Sequence, residues 1–231
     1  MTGKIQRQNV YQLVADQLLE DLASSGLAVG DQIPTERELT VRYGVGRSSV
    51  REAMRKLESH GVIRPTGQGG YVLGTQDAAI GESFQLLLQL GHASLAEITE
   101  LREVLEVPAA RAAAERRTPE NLVDMQRAID AMELAADESR EDVLTADLAF
   151  HVAIAEATNN GAIAAAARGI RHALQEALRS NYWSSDVAVA QHRAIGEAIA
   201  RGDPAAAGTA MQEHLDWIKT ILPQEERAAT T

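Results

Sequence analysis

The sequence predicts a mainly α-helical chain in two parts: a small N-terminal unit of three helices and a β-hairpin, then an all-α antiparallel bundle. Three observations carry that reading. Apolar residues recur at helical spacing over most of the chain, and the clearest β-type runs fall at residues 62–64 and 71–73. Aromatic residues make up 3% against 45% apolar, so the core is aliphatic and alanine-rich, which suits helices better than sheets. A length of 231 residues fits two modest domains better than one.

Val10, Leu13, Val14, Leu18 and Leu22 share one helical face, so a first helix is expected over about residues 8–24. Ser24, Ser25 and Gly26 end it, and Gly30, Asp31 and Pro34 mark a loop. Thr35 and Glu38 have capping-box spacing, which starts a short second helix running to Tyr43. Gly44, Val45 and Gly46 form a tight turn, and a third helix follows from Arg47 to Ser59 with Val50, Met54 and Leu57 inward. Gly61 stops it. Two short strand-like runs then flank a glycine-rich segment, residues 66–70, and read as a hairpin wing. The N-terminal domain is expected over residues 1–74, a linker over 75–79, a helical domain over 80–222 and a polar tail over 223–231. The helical domain divides into seven segments, 80–90, 94–116, 119–137, 140–157, 160–181, 184–201 and 204–222, broken at glycine, proline, serine and asparagine clusters.

Charge is unevenly placed. The net charge is −11, but residues 1–74 carry +1 and residues 75–231 carry −12. Within the first part, Arg37 to Arg64 holds seven basic and three acidic side chains. A local positive patch decides phosphate binding more than total charge does. The acidic part would repel a polyanion and is expected to do something else. The absence of cysteine excludes disulfides and thiolate metal sites. The first ten residues are polar, so no secretory signal is expected, and no apolar run approaches the roughly 20 residues of a membrane span. A cytoplasmic protein without a membrane partner is the expectation.

Two short helices joined by a glycine turn, the second with Ser48, Arg51 and Arg55 on an outward face, form a helix-turn-helix pattern. The second such helix fits the major groove of DNA, where arginine pairs with guanine O6 and N7. The pattern alone leaves open an ordinary helix pair with a solvated arginine face. Glu52 and Lys56 at i,i+4 suggest a surface ion pair, and Arg42 a surface charge.

The wording of the segment narrows this. Residues 30–39, GDQIPTEREL, and 43–61, YGVGRSSVREAMRKLESHG, closely resemble the DNA-binding domain of the GntR family, a winged helix-turn-helix. The resemblance covers about residues 8–73. It implies that Arg37, Arg47, Ser48, Ser49 and Arg51 face DNA, some on phosphates and only a few on bases. It also implies a wing around Gly67 and Gly69 near the minor groove. Two departures stand out: Gly46 replaces the usual serine at the start of the third helix, and Gln68 stands where the family often has arginine or lysine.

In the second part, Asp147 and His151 lie four apart on one helical face. His192 and His214 lie on two later helices in apolar settings. Three imidazoles and a carboxylate could converge inside a bundle as ligands for Zn, Ni, Mn or Fe; a surface hydrogen bond between the first two is the plainer alternative. Residues 100–106 (ELREVLE), 147–151 (DLAFH), 191–195 (QHRAI) and 211–215 (MQEHL) resemble the FCD domain, the helical ligand-binding domain of the FadR subfamily of GntR regulators. That resemblance spans most of 80–220. It implies a divalent metal, zinc first, on Asp147, His151, His192 and His214, and a small carboxylate or sugar acid as effector. Arg102 is then either an anchor for the anion or the partner of Glu106 in a helix salt bridge. Asn160 reads as a helix cap, and Trp183 and Trp217 as core or pocket lining.

The expected function is a ligand-responsive, sequence-specific transcriptional repressor, not an enzyme, acting as a homodimer on operator DNA. Two alternatives stay open: a metalloregulator for which the metal is the signal, and a metal-dependent enzyme tethered to DNA.

Overall fold

The computed structural model describes residues 9–67, 69–75, 77–136, 139–178 and 186–222. Gln68, Trp183, the break at Ser184 and Ser185, and the 223–231 tail lie outside the described residues. The chain divides into two compact units, residues 1–79 and 80–231.

In the first unit, α1 (Val10–Ser24), α2 (Glu36–Tyr43) and α3 (Arg47–Ser59) precede β1 (Ile63–Pro65) and β2 (Tyr71–Leu73). The strands pair antiparallel with Ile63 opposite Leu73 and Pro65 opposite Tyr71, and an isolated bridge joins Gln32 to Val72. Thr35 caps α2 as expected: its hydroxyl accepts from the Glu38 amide, and Glu38 reaches back to the Thr35 N–H at 2.8 Å. Gly44 follows α2 at φ 64°, a left-handed conformation glycine adopts at low cost, which turns the chain sharply into α3. The apolar faces meet in one core of Val14, Leu18, Leu22, Ile33, Leu39, Val50, Met54, Leu57 and Ile63. Each buried Leu or Val there stabilises by about 1.5–3 kcal/mol, enough to hold a unit this small around its hairpin.

Helix α4 (Asp77–Gln89) begins in the last residues of the first unit and continues into the second, which also contains α5 (Leu95–Arg116), α6 (Pro119–Ala135), α7 (Arg140–Ala157), α8 (Gly161–Leu178), α9 (Asp186–Arg201) and α10 (Pro204–Ile221). Residues 77–79, expected as linker, are helical because α4 begins at Asp77, an acid that suits the positive end of a helix. Side-chain caps start the other helices where the sequence suggested: Ser94 before α5, Thr118 before α6, Ser139 before α7 and Asp203 before α10. Asn160 does cap α8, accepting from the amides of Ala162 and Ile163 at 3.0 and 3.3 Å.

Helix α7 runs through the middle, touching α5, α6 and α8. Between Val143 and Ala157 only Thr145, Ala149 and Glu156 are not buried. A helix buried all round needs apolar or small residues on every face, and α7 has them, with Asp147 and His151 as the polar exceptions. One large core joins α5, α6, α7, α9 and α10 around Phe150, Met125, Met132, Ile195, Ile199 and Met211. Among the described residues no helix is long and apolar enough to cross a membrane.

Candidate metal centre and nucleic-acid interface

Asp147, His151, His192 and His214 come together in the second unit. One ligand atom from each lies within 4.8 Å of the others, and all four residues are buried. Asp147 and His151 come from adjacent turns of α7, His192 from α9 and His214 from α10. His192 Nε2 is 3.0 Å from Asp147 Oδ1 and 3.3 Å from His151 Nε2. The Phe150 ring stands edge-on to His151 and His192, with ring centres 5.8 and 4.9 Å away. Half-buried Trp217 lies beside His214, 6.3 Å between rings.

Two of the rings have their outer nitrogens engaged. His192 Nδ1 lies 2.6 Å from the Ala188 carbonyl oxygen, which can only accept, so Nδ1 donates outward and Nε2 is the nitrogen turned toward the cluster. His214 Nδ1 lies 3.1 Å from Gln191 Oε1, which has the same consequence. His214 Nε2 and Asp147 Oδ1 are then buried without a well-aligned hydrogen-bond partner. Burial alone pushes the Asp147 carboxyl up, yet His192, then His151 and His214, hold it well below the ordinary carboxylate range. Burial, with His192 and His151 beside it, pushes His214 well below the ordinary histidine value and keeps its imidazole neutral. Unprotonated nitrogens and a carboxylate oxygen facing one point repel one another unless a proton or a cation sits among them. A donor set of this kind, buried and deprotonated, fits a divalent cation.

Arg102 and Glu106 form a buried, two-pronged ion pair on α5, Arg102 Nε to Glu106 Oε1 at 2.8 Å and Nη2 to Oε2 at 3.3 Å. Of the two sequence readings for Arg102, the salt bridge is what the structure displays. Glu106 does more than the sequence suggested, because its Oε2 also lies 2.9 Å from His151 Nδ1, although the N–H is off the ideal line. Burial raises the Glu106 carboxyl, but Arg102 first and then the hydrogen-bond donor His151 outweigh it and hold it well below the ordinary range. Glu106 and Gln191 escaped the sequence reading. Helical spacing tied Glu106 to Arg102, but nothing in the sequence tied it to α7.

In the first unit the DNA-facing candidates are on the outside. Arg37 on α2 and Arg47, Ser48 and Arg51 on α3 are exposed, and Ser49 is half-buried. Gly67 and Gly69 are exposed at the hairpin tip, Gly69 with φ 87°. Gly46 gives α3 no side-chain cap, and the Ser49 amide turns back to the Gly46 carbonyl oxygen at 3.0 Å. Arg51 reaches back to Glu36, Nε to Oε1 at 3.4 Å and Nη2 to Oε2 at 3.2 Å. The expected Glu52–Lys56 pair is replaced: Glu52 meets Arg55 at 3.2 Å, and Lys56 turns to Asp16 on α1 at 3.7 Å. Either partner of Glu52 lies on its helical face, and Asp16 draws the lysine away.

These two units, one presenting a basic helix beside a hairpin and one enclosing a buried histidine–aspartate cluster in a helical bundle, have the architecture of a two-part DNA-binding transcriptional regulator. Comparison with known proteins agrees. The profile of bacterial regulatory proteins of the gntR family matches residues 10–73, and that of the FCD domain matches residues 97–216. The HTH-type transcriptional regulator YcbG of Bacillus subtilis (strain 168) is 32% identical over 93% of this chain and 91% of its own length. A regulator named for the L-lactate dehydrogenase operon in Escherichia coli (strain K12) is 30% identical over 90% of this chain and 84% of its own. The solved Streptococcus agalactiae GntR superposes with a TM-score of 0.71 at 25% identity, covering 91% of this chain and 99% of that one. The chain belongs to the GntR family of bacterial transcriptional regulators and carries an FCD domain. It is a regulator, not an enzyme.

Proposed function

We propose that this regulator is a homodimeric, ligand-responsive repressor of the FadR subfamily. Its helical domain takes a small carboxylate or sugar acid at a divalent metal on Asp147, His151, His192 and His214. The observation that carries the reading is the set of four buried ligand atoms within 4.8 Å, with His214 Nε2 and Asp147 Oδ1 lacking aligned partners. Nitrogen and oxygen donors favour zinc, with Ni, Mn or Fe as alternatives. A bound divalent ion supplies positive charge and coordination positions that a carboxylate can complete. The kinship with a regulator named for an L-lactate dehydrogenase operon supports a small acid as the effector. Arg102, one turn before Glu106, contributes positive charge to the same interior and serves the anion through that charge.

On the DNA side, Arg37, Arg47, Ser48, Ser49 and Arg51 take the major-groove face and its phosphates, and the backbone at Gly67 and Gly69 takes the minor-groove edge. Two copies present two recognition helices to a pseudo-palindromic operator. The effector changes operator affinity only to the extent that it binds one dimer geometry better than the other.

Metal analysis of untagged protein beside an Asp147→Ala/His151→Ala variant tests the centre. The expected result is one divalent ion per chain in wild type and loss of the ion in the variant. A wild type that stays metal-free after incubation with Zn, Ni and Mn overturns it. Operator affinity that follows free metal with no organic acid present would make the metal itself the signal.

A further inference from the structure

Each histidine of the cluster has an inner and an outer ring nitrogen, and the three outer nitrogens meet three different acceptors. His192 Nδ1 faces a backbone carbonyl at 2.6 Å, His214 Nδ1 faces the Gln191 side chain at 3.1 Å, and His151 Nδ1 faces Glu106 Oε2 at 2.9 Å. The first two acceptors are neutral. Only His151 faces a charged one, and that charge is itself held in place by Arg102 through two contacts at 2.8 and 3.3 Å. All three residues of the chain Arg102–Glu106–His151 are buried. A helix salt bridge would do its structural work at the surface of α5 without touching α7. Here the pair is turned inward, and the carboxylate oxygen left with the longer arginine contact is the one that meets the imidazole.

We propose that Glu106 is a positioning residue for the centre. Its carboxylate accepts the Nδ1 proton of His151, which fixes the tautomer and aims the Nε2 lone pair at the point shared by His192 and His214. Arg102 holds Glu106 in place through its two contacts. This rests on the metal reading for its purpose, but not for its chemistry, since the tautomer is a property of the metal-free chain. Carboxylate partners behind ligating histidines raise ligand basicity, and removing one typically lowers metal affinity about 10–100-fold.

The test uses full-length protein labelled with ¹⁵N in the imidazole rings. Long-range ¹H–¹⁵N spectra read which nitrogen of His151 carries the proton, with the signal assigned by its loss in His151→Asn. Chelator competition reads zinc affinity. Two variants are compared with wild type. Glu106→Gln keeps the shape but removes the charge. Arg102→Met/Glu106→Leu removes the whole pair, so that no unpaired charge stays buried and folding is preserved. The expected result is an Nδ1-protonated His151 in metal-free wild type, and a loss of that single tautomer in the double variant. Zinc affinity is expected to fall about 10–100-fold in both variants. A wild-type His151 protonated at Nε2 overturns the proposal, and so does an unchanged tautomer in the double variant or unchanged zinc affinity in both. If wild type binds no zinc, the metal reading fails, and the metal-free spectra still decide the role of Glu106.

Discussion

Two forked arginine–glutamate pairs, one in each unit, sit in opposite surroundings. In the first unit Arg51 and Glu36 have side chains 57% and 33% exposed. In the second, Arg102 and Glu106 are 5% and 9% exposed. Both pairs use Nε and Nη2 in a fork on the two carboxylate oxygens. Water sets the difference. At the surface each partner is nearly as well solvated alone, so the pair contributes about 0–1 kcal/mol and Arg51 is free to leave it for a phosphate or a guanine. In the interior neither partner can be left alone, so the pair is committed, and its geometry becomes a fixed part of what surrounds it. An exchangeable pair serves recognition; a committed pair serves positioning.

The largest expected effect tests commitment. Glu106→Leu alone leaves Arg102 charged and buried, and should destabilise the second unit by about 3–5 kcal/mol, whereas Arg102→Met/Glu106→Leu should recover most of that loss. Urea unfolding followed by tryptophan fluorescence reads this unit, because both tryptophans, 183 and 217, belong to it. A double variant no more stable than the single one would mean that the glutamate acts alone.

Next comes exchangeability. Arg51→Ala should weaken operator binding by about 1–3 kcal/mol if the residue reads a base. It should change the stability of the first unit by less than about 1 kcal/mol. Operator titration at several salt concentrations, beside thermal melting, separates the two. A large loss of stability would show that the exposed pair is structural after all.

The smallest effect concerns a partly buried bond in the first unit that resembles a committed contact. Tyr43 Oη donates to Asp21 Oδ2 at 2.8 Å. Burial first, then the bond and charge of Asp21, push the phenol up from 10.0 to about 12. A raised folded-state value means the bond is fully present below pH 10 and is lost as pH rises from 10 toward 12. Tyr43→Phe should lose about 1 kcal/mol at neutral pH and converge on wild type above pH 10. Hydrogen exchange across the first unit, measured at both pH values, checks it.

Sequence legibility follows the same division. The first unit was legible because local chemistry builds it: the Thr35–Glu38 box, the Gly44 turn and the apolar stripe of α3 are all short-range signals. The convergence of Asp147, His151, His192 and His214 was legible because their residue types are rare in apolar helices and their segments resemble a known domain. Glu106 was not, because its function depends on α5 and α7 lying side by side, a long-range fact that helical spacing does not encode. The Glu52 partner was misassigned for a related reason. Spacing offers Arg55 and Lys56 equally, and the choice falls to Asp16 on another helix.

Helix α7 is enclosed almost from end to end, and it carries two of the four residues of the buried cluster. A residue there answers to two demands at once, filling its share of the core and keeping Asp147 and His151 in line. Almost any exchange on α7 disturbs one of them, so this helix is poor ground for evolving a new effector preference. Relatives with a different effector preference should have changed instead at the half-buried margin, around Trp217 and Gln191, where a side chain can alter the space beside the cluster without unsettling its floor.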